Sequence, residues 1–318
     1  MWSYFFILSG FILTYVYSDN MKSNSDFYYA RFSRIYPVYL LAFIFDLPRG
    51  IGYYLETHSY GKIVISTISH ITMLQSWHPR LATVYNSPAW SLSIEAFFYL
   101  VFPFVLPYIL ETRKNLVWIS YLYLIPLLIF ATMTRLMHFN LSVGIHEVFW
   151  RTFPLIRVFE FLIGIYLGKL YVGDHKFVQT LRIHSRVSGI LFWVLAIGSL
   201  LIFTQNLHIS KSVFPNLILV PVFSLMILIL TSVDIPMAFL LRNRLMLFLG
   251  SSSYALYIFH CPMEPYIEAL TNILPVSFTG STLMIYLIAI FLVSIVIYKF
   301  VEIPAQRYLR QKTFWPRK

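Results

Sequence analysis

Glu95 stands out in the run Pro88-Ala89-Trp90-Ser91-Leu92-Ser93-Ile94-Glu95-Ala96-Phe97-Phe98-Tyr99-Leu100, because everything after it is apolar as far as Pro107. A carboxylate at the mouth of an apolar helix, or just inside one, is expensive, by roughly 2.5–3.5 kcal/mol at a helix centre, so such a group faces a cavity or a partner. The competing reading is a helix-capping acid, with Ser91 or Ser93 as a further cap. Arg31 and Arg34 are three apart and share a face if the helix that follows them starts early. Two planar, permanently charged forks on one face clamp phosphate. The alternative is a basic anchor at the cytoplasmic edge of a span.

Histidines supply the general bases. His260 follows Tyr254 and Tyr257 at intervals of three, which sets all three near one helical face. It is either a base or a hydrogen-bonded structural group between helices, and the structural reading stands first. His70 is open in the same way. His78, His138, His146, His175, His184 and His208 fall in polar connections and read as solvated. No metal is called for, since no residues cluster at ligand spacing. The one cysteine, Cys261, lies in an apolar segment and has no partner for an internal disulfide.

The elements that must position these groups are apolar throughout. Of 318 residues, 58% are hydrophobic and 12% charged, against about 25% charged in soluble domains. The composition therefore predicts an all-α, polytopic transmembrane helix bundle. No Gly/Ser- or Pro-rich linker interrupts it, so residues 1–318 read as a single integral membrane domain. The net charge of +11 fits the positive-inside rule and needs no nucleic-acid partner. The first seventeen residues lack a basic flank and a small-residue cleavage site, and read as a span rather than a signal peptide.

Nine spans are expected: Trp2–Tyr17, Ile35–Leu55, Ala89–Leu110, Leu116–Thr134, Thr152–Leu170, Val187–Gln205, Phe214–Val233, Met246–Leu270 and Phe278–Val301. Ser9-Gly10 in the first offers a small-residue patch for close helix approach. Residues 61–76 are less apolar and read as re-entrant or interfacial. With the first span running outside to inside, sixteen of the 24 Lys and Arg fall on the inner side, Lys169 at the inner end of its span among them, five on the outer side and three within spans. That bias sets the C-terminus inside, with Arg31 and Arg34 at the cytoplasmic face and Glu95 and His70 toward the outer side.

Six stretches in order resemble the acyltransferase-3 family of bacterial integral membrane proteins, which O-acylate sugars and other extracytoplasmic acceptors. They are Phe5-Phe6-Ile7-Leu8-Ser9-Gly10-Phe11; Arg31-Phe32-Ser33-Arg34-Ile35-Tyr36-Pro37; Trp90-Ser91-Leu92-Ser93-Ile94-Glu95 with Phe98-Tyr99 and Pro103; Arg157 to Gly164 with Gly168; Leu249 to His260; and Val301-Glu302-Ile303-Pro304 with Arg307. Each is weak alone, and the ordered set is specific. The family's first span carries an Arg or Lys and, ten residues on, a His taken as the base. No such segment lies in these 318 residues, which begin in what resembles the second span. The chain thus reads as N-terminally shortened relative to the family.

The resemblance implies transfer of an acyl group, commonly acetyl, from cytoplasmic acyl-CoA to a hydroxyl of a sugar or cell-surface polysaccharide. It implies Arg31 and Arg34 as the holders of the CoA phosphates. Glu95 would orient a base or position the acceptor hydroxyl, with His260 or His70 as candidate bases. No cofactor is held permanently; acetyl-CoA is the donor substrate. The expected surroundings are the bilayer of a bacterial inner membrane. The alternatives are a transporter or flippase, with Asp46, Glu95, Glu160 and His260 lining a pathway, and an inactive member of the family.

Overall fold

The computed structural model describes residues 2–19, 21, 23–113, 115–136, 144–204, 214–235, 243–273 and 279–311. Among them the only regular structure is helical, without a strand. The helices are α1 (Trp2–Tyr17), α2 (Asn24–Glu56), α3 (Tyr60–Ile71), α4 (Trp90–Glu111), α5 (Asn115–Leu136), α6 (Ile145–Thr152), α7 (Pro154–Val172), α8 (Lys176–Ile183), α9 (Ser185–Thr204), α10 (Phe214–Ser232), α11 (Arg244–Ile273), α12 (Thr279–Ile297) and α13 (Ile303–Gln311). Helical segments at 24–56, 87–111, 185–202 and 283–309 are long and apolar enough to cross a membrane, and shorter apolar helices run over 2–17, 117–129 and 219–232. His138 and His208 lie outside the described residues.

The helices form two compact units. The first comprises residues 1–21 and 94–239, the second 22–93 and 240–318. In the first, α1 lies against α7 at backbone contact. A Cβ on Gly164 would sit 2.0 Å from the Ile7 carbonyl oxygen, and one on Gly10 would sit 2.2 Å from that of Phe161. Gly10 of the expected small-residue patch meets Gly164, and four residues on, along the same helical stripe, Gly168 meets Phe11 and Thr14 of α1. Around this crossing Ile7, Phe11, Ile163, Leu167, Val220 and Phe223 form the buried core, and Phe98 stacks on Phe161 at 4.5 Å between centroids.

Two details of this unit follow from single residues. The expected span Thr152–Leu170 is preceded by a separate short helix, because Pro154 forces Phe153 into extended backbone (φ −75°, ψ 121°). The end of α4 is held from the side: Lys169 on α7 donates to the carbonyls of Ile109, at 2.7 Å, and of Thr112. A cation on orphan carbonyls at a helix C-terminus satisfies both the hydrogen bonds and the dipole.

In the second unit α2 starts at Asn24, eleven residues before the expected Ile35. Ser23 caps it, accepting a hydrogen bond from the Asp26 N–H at 3.1 Å, with Asp26 in the first turn. Its 33 residues rise about 50 Å, against a hydrocarbon core of about 30 Å, so part of the helix must stand outside the apolar layer. The piece expected to be re-entrant contains α3, twelve residues long, which rises only about 18 Å. It is tied to α2 by the Tyr36 hydroxyl donating to Ile71 O at 3.0 Å and the Tyr39 hydroxyl donating to His70 O at 2.7 Å.

Pro262 within α11 cannot donate to the Ile258 carbonyl. The fully buried Asn86, from the connection before α4, supplies the missing donor, its Nδ2 lying 2.8 Å from Ile258 O. A helix defect is thereby converted into a tertiary bond.

Candidate functional site

Arg31 and Arg34 both lie inside α2, well after its cap, so their spacing of three separates them by about 60° around the axis. Arg34 is exposed and Arg31 half-buried, with its guanidinium 6.0 Å from the Phe27 ring centroid. The early start of the helix meets the condition on which a shared basic face depended. Glu302 belongs to the same unit and sits buried on the π-helical turn Tyr298–Glu302. Gln306 Nε2 donates to it at 3.1 Å, and it lies within electrostatic reach of Arg34.

His70 is wholly buried near the end of α3. Its Nδ1 donates to Ser66 O at 2.9 Å, because a carbonyl accepts only, and Nε2 is left buried without a hydrogen-bond partner. Phe43 stacks on the imidazole at 5.6 Å and the Tyr85 ring meets it edge-on at 4.9 Å. Burial pushes its pKa from 6.5 down to about 4, so it is neutral at physiological pH. In the window between about pH 6.5 and 4 the unfolded chain therefore binds a proton that the folded chain does not. Thermal stability of the wild-type chain is expected to fall as pH drops through that window, and His70→Gln to flatten the fall. An unchanged pH profile in the variant would assign the proton elsewhere.

His260 is half-buried on α11. Its Nδ1 donates to Tyr257 O at 2.7 Å, which leaves Nε2 as the basic nitrogen. The two tyrosines of its face anchor α11: Tyr254 donates to Ile35 O at 2.6 Å and Tyr257 to Pro88 O at 2.9 Å. Ser91 shares a hydrogen bond of 2.8 Å with the Tyr257 hydroxyl.

Glu95 is the sixth residue of α4 and belongs to the first unit. Its carboxylate accepts a hydrogen bond from the Tyr99 hydroxyl one turn on. It does not cap the helix: Ser93 spends its hydroxyl on Met73 O, and Ser91, with Tyr257 donating to Pro88 O, gives its proton to the Tyr257 hydroxyl. Arg31, Arg34, His70 and His260 all belong to the second unit.

Two ion pairs that the residue spacing alone did not single out complete the polar interior. In the second unit the Arg49 fork donates twice to Asp46, each bond 2.8 Å, and once to Tyr85 O at 3.0 Å. In the first, Arg157 Nη1 donates to Glu160 Oε1 at 2.8 Å, Ser3 Oγ donates to the same oxygen at 2.9 Å, and Arg157 Nε donates to Arg151 O at 2.9 Å. Both pairs are opposite charges at an interval of three within apolar helices, and that interval was the available signal. Among the described residues no group of three or more His, Cys, Asp or Glu is gathered as a metal site.

An all-α chain with several helices fit to cross a membrane, a basic helical face and buried acid and imidazole groups defines a membrane-embedded class of protein, and the comparisons narrow it. The acyltransferase domain family matches residues 3–299, and the chain belongs to that family. Acyltransferase MdmB of Streptomyces mycarofaciens is 36% identical over 109 residues, 32% of this chain and 26% of MdmB. The match thus spans about a quarter of that relative's length. An uncharacterized protein of Haemophilus influenzae is 25% identical over 246 residues, 72% of this chain and 97% of that protein. No solved structure matches.

Proposed function

We propose that the chain is a membrane-bound O-acyltransferase moving an acyl group, acetyl first among them, from cytoplasmic acyl-CoA to a hydroxyl of a sugar or cell-surface polysaccharide. It crosses a bacterial inner membrane nine times, with its C-terminus and the start of α2 on the cytoplasmic side. The observation that carries this reading is the basic face of Arg31 and Arg34 on one uninterrupted helix. Arg34, exposed, takes the donor's phosphates first, and Arg31 closes the clamp. A thioester is already activated, so the chain's own task is to place it and to move one proton. Glu95, bonded to Tyr99, positions the acceptor hydroxyl. His260, with Nδ1 committed to the Tyr257 carbonyl and part of its ring exposed, is the base available at the surface. His70 is a reserve base closed off from solvent.

The test is equilibrium binding of labelled acetyl-CoA to the full chain in lipid nanodiscs. The double variant Arg31→Lys with Arg34→Lys keeps the charge and loses the forks, and affinity should fall by about tenfold or more. Unchanged affinity would overturn the clamp. Release of free CoA on adding a lipid-linked sugar separates the acyltransferase from a transporter or flippase, which binds and moves substrate without breaking the thioester. Asp46 and Glu160, which a transport pathway would need free, are both held in ion pairs.

A further inference from the structure

The pair Arg157–Glu160 is unfinished. Arg157 is 2% exposed and Glu160 4%, yet Arg157 Nη2 and Glu160 Oε2 are buried with no hydrogen-bond partner. One is a pure donor and the other, ionised, a pure acceptor. Leaving either unmet in a dry interior is costly, and more so for charged groups. The complementary group is an oxygen that accepts and donates at once, which is a hydroxyl.

Both residues line a cavity in the first unit. Tyr123 and Trp150 bring a hydroxyl and an indole N–H to the lining, and the rest of the wall is apolar, including Leu122 and Pro126 of α5, Phe159 and Ile163 of α7 and Val220 of α10. Leu122 and Phe159 are half-buried at its edge. On the same stripes of these helices, Ile125 one turn from Leu122 and Leu155 one turn from Phe159 are exposed and apolar. A charged corner with room for little more than one small polar group, in otherwise largely apolar surroundings, suits a ligand that places a single polar group there and leaves an apolar body outside. A sugar, with hydroxyls on every side, would leave most of them unpaired against these walls.

We propose that this corner is a binding site for the hydroxyl of an amphiphilic alcohol, which enters from the bilayer with its chain along α5 and α7. Reaching the corner takes side-chain movement at the Leu122–Phe159 edge. The site stands independently of acyl transfer, because binding is what it predicts.

The experiment uses the full chain in lipid nanodiscs and two photoreactive probes, a diazirine-bearing dodecanol and the same chain without the hydroxyl. After illumination, labelled peptides are mapped by mass spectrometry. The alcohol should label the α5 or α7 lining in preference to the alkane by about tenfold, as a hydrogen bond to a charged group implies, and unlabelled dodecanol should compete. Leu122→Trp, which narrows the entry and leaves the pair intact, should abolish the labelling. Arg157→Met with Glu160→Met removes both charges together, and should bring the ratio of alcohol to alkane labelling to about one. Equal labelling by both probes in the unaltered chain, or no labelling of this lining, overturns the site and leaves the corner to a structural water.

Discussion

Gly164→Leu is expected to prevent assembly of the first unit. A Cβ at this position falls 2.0 Å from Ile7 O, 2.9 Å from Ile7 C and 3.0 Å from Phe11 N. All three are backbone atoms of α1, so no rotamer change relieves the clash. The two helices would have to separate by more than an ångström, which would open the packing of Phe11, Ile163 and Leu167 around them. The same crossing is tight from the other side, at Gly10, so α1 has no room to slide. The loss should exceed roughly 4 kcal/mol, in the range reached only when a core is forced apart. Gly198 on α9 is the control, since a Cβ there meets nothing within 4 Å, and Gly198→Leu should be tolerated. The readout is the monodisperse fraction of detergent-solubilised protein on size-exclusion chromatography. A Gly164→Leu profile equal to that of the Gly198 variant would show that α1 and α7 do not touch as described.

Removing Arg157 alone should be the second severe lesion. Arg157→Ala leaves the Glu160 carboxylate buried with only the Ser3 hydroxyl donating to it. Breaking one side of a buried pair costs roughly 3–5 kcal/mol, whereas replacing both partners with apolar residues of similar volume is close to neutral. The signature is therefore non-additivity: Arg157→Ala and Glu160→Ala are each severe, while Arg157→Met with Glu160→Met lies near the unaltered chain in thermal midpoint. Additive losses in the double variant would mean that the two charges stabilise the unit through separate contacts.

Much of this was legible in the sequence, and the physical reason is the bilayer. In a bilayer only helices and closed barrels satisfy the backbone, and apolar runs of about twenty residues suit the helix, so the helical class and the approximate bounds of the apolar segments follow from composition and hydropathy. The family, too, was legible, because aromatic and small residues recur in an order that chance does not produce. Local chemistry carried the Ser9-Gly10 patch and the pairing potential of Arg31 with Arg34.

What composition and spacing could not supply was partnership across long separations. Whether Arg31 and Arg34 share a face depended on a cap at Ser23, outside the apolar pattern altogether. Gly164 reads as one small residue among many until Ile7 is found against it, 157 positions away in the chain. Asn86 reads as a loop residue, and only the fold brings it to the carbonyl that Pro262 leaves vacant. Glu95 and His70 had several readings each because a lone titratable group in an apolar run is defined by its neighbours. Tyr99 lies within one turn of Glu95, whereas Phe43 and Tyr85 reach His70 from other parts of the second unit. Hydropathy is a property of each residue by itself and survives in one dimension. Hydrogen-bond satisfaction and close packing are properties of pairs, and tertiary structure alone decides which pairs exist.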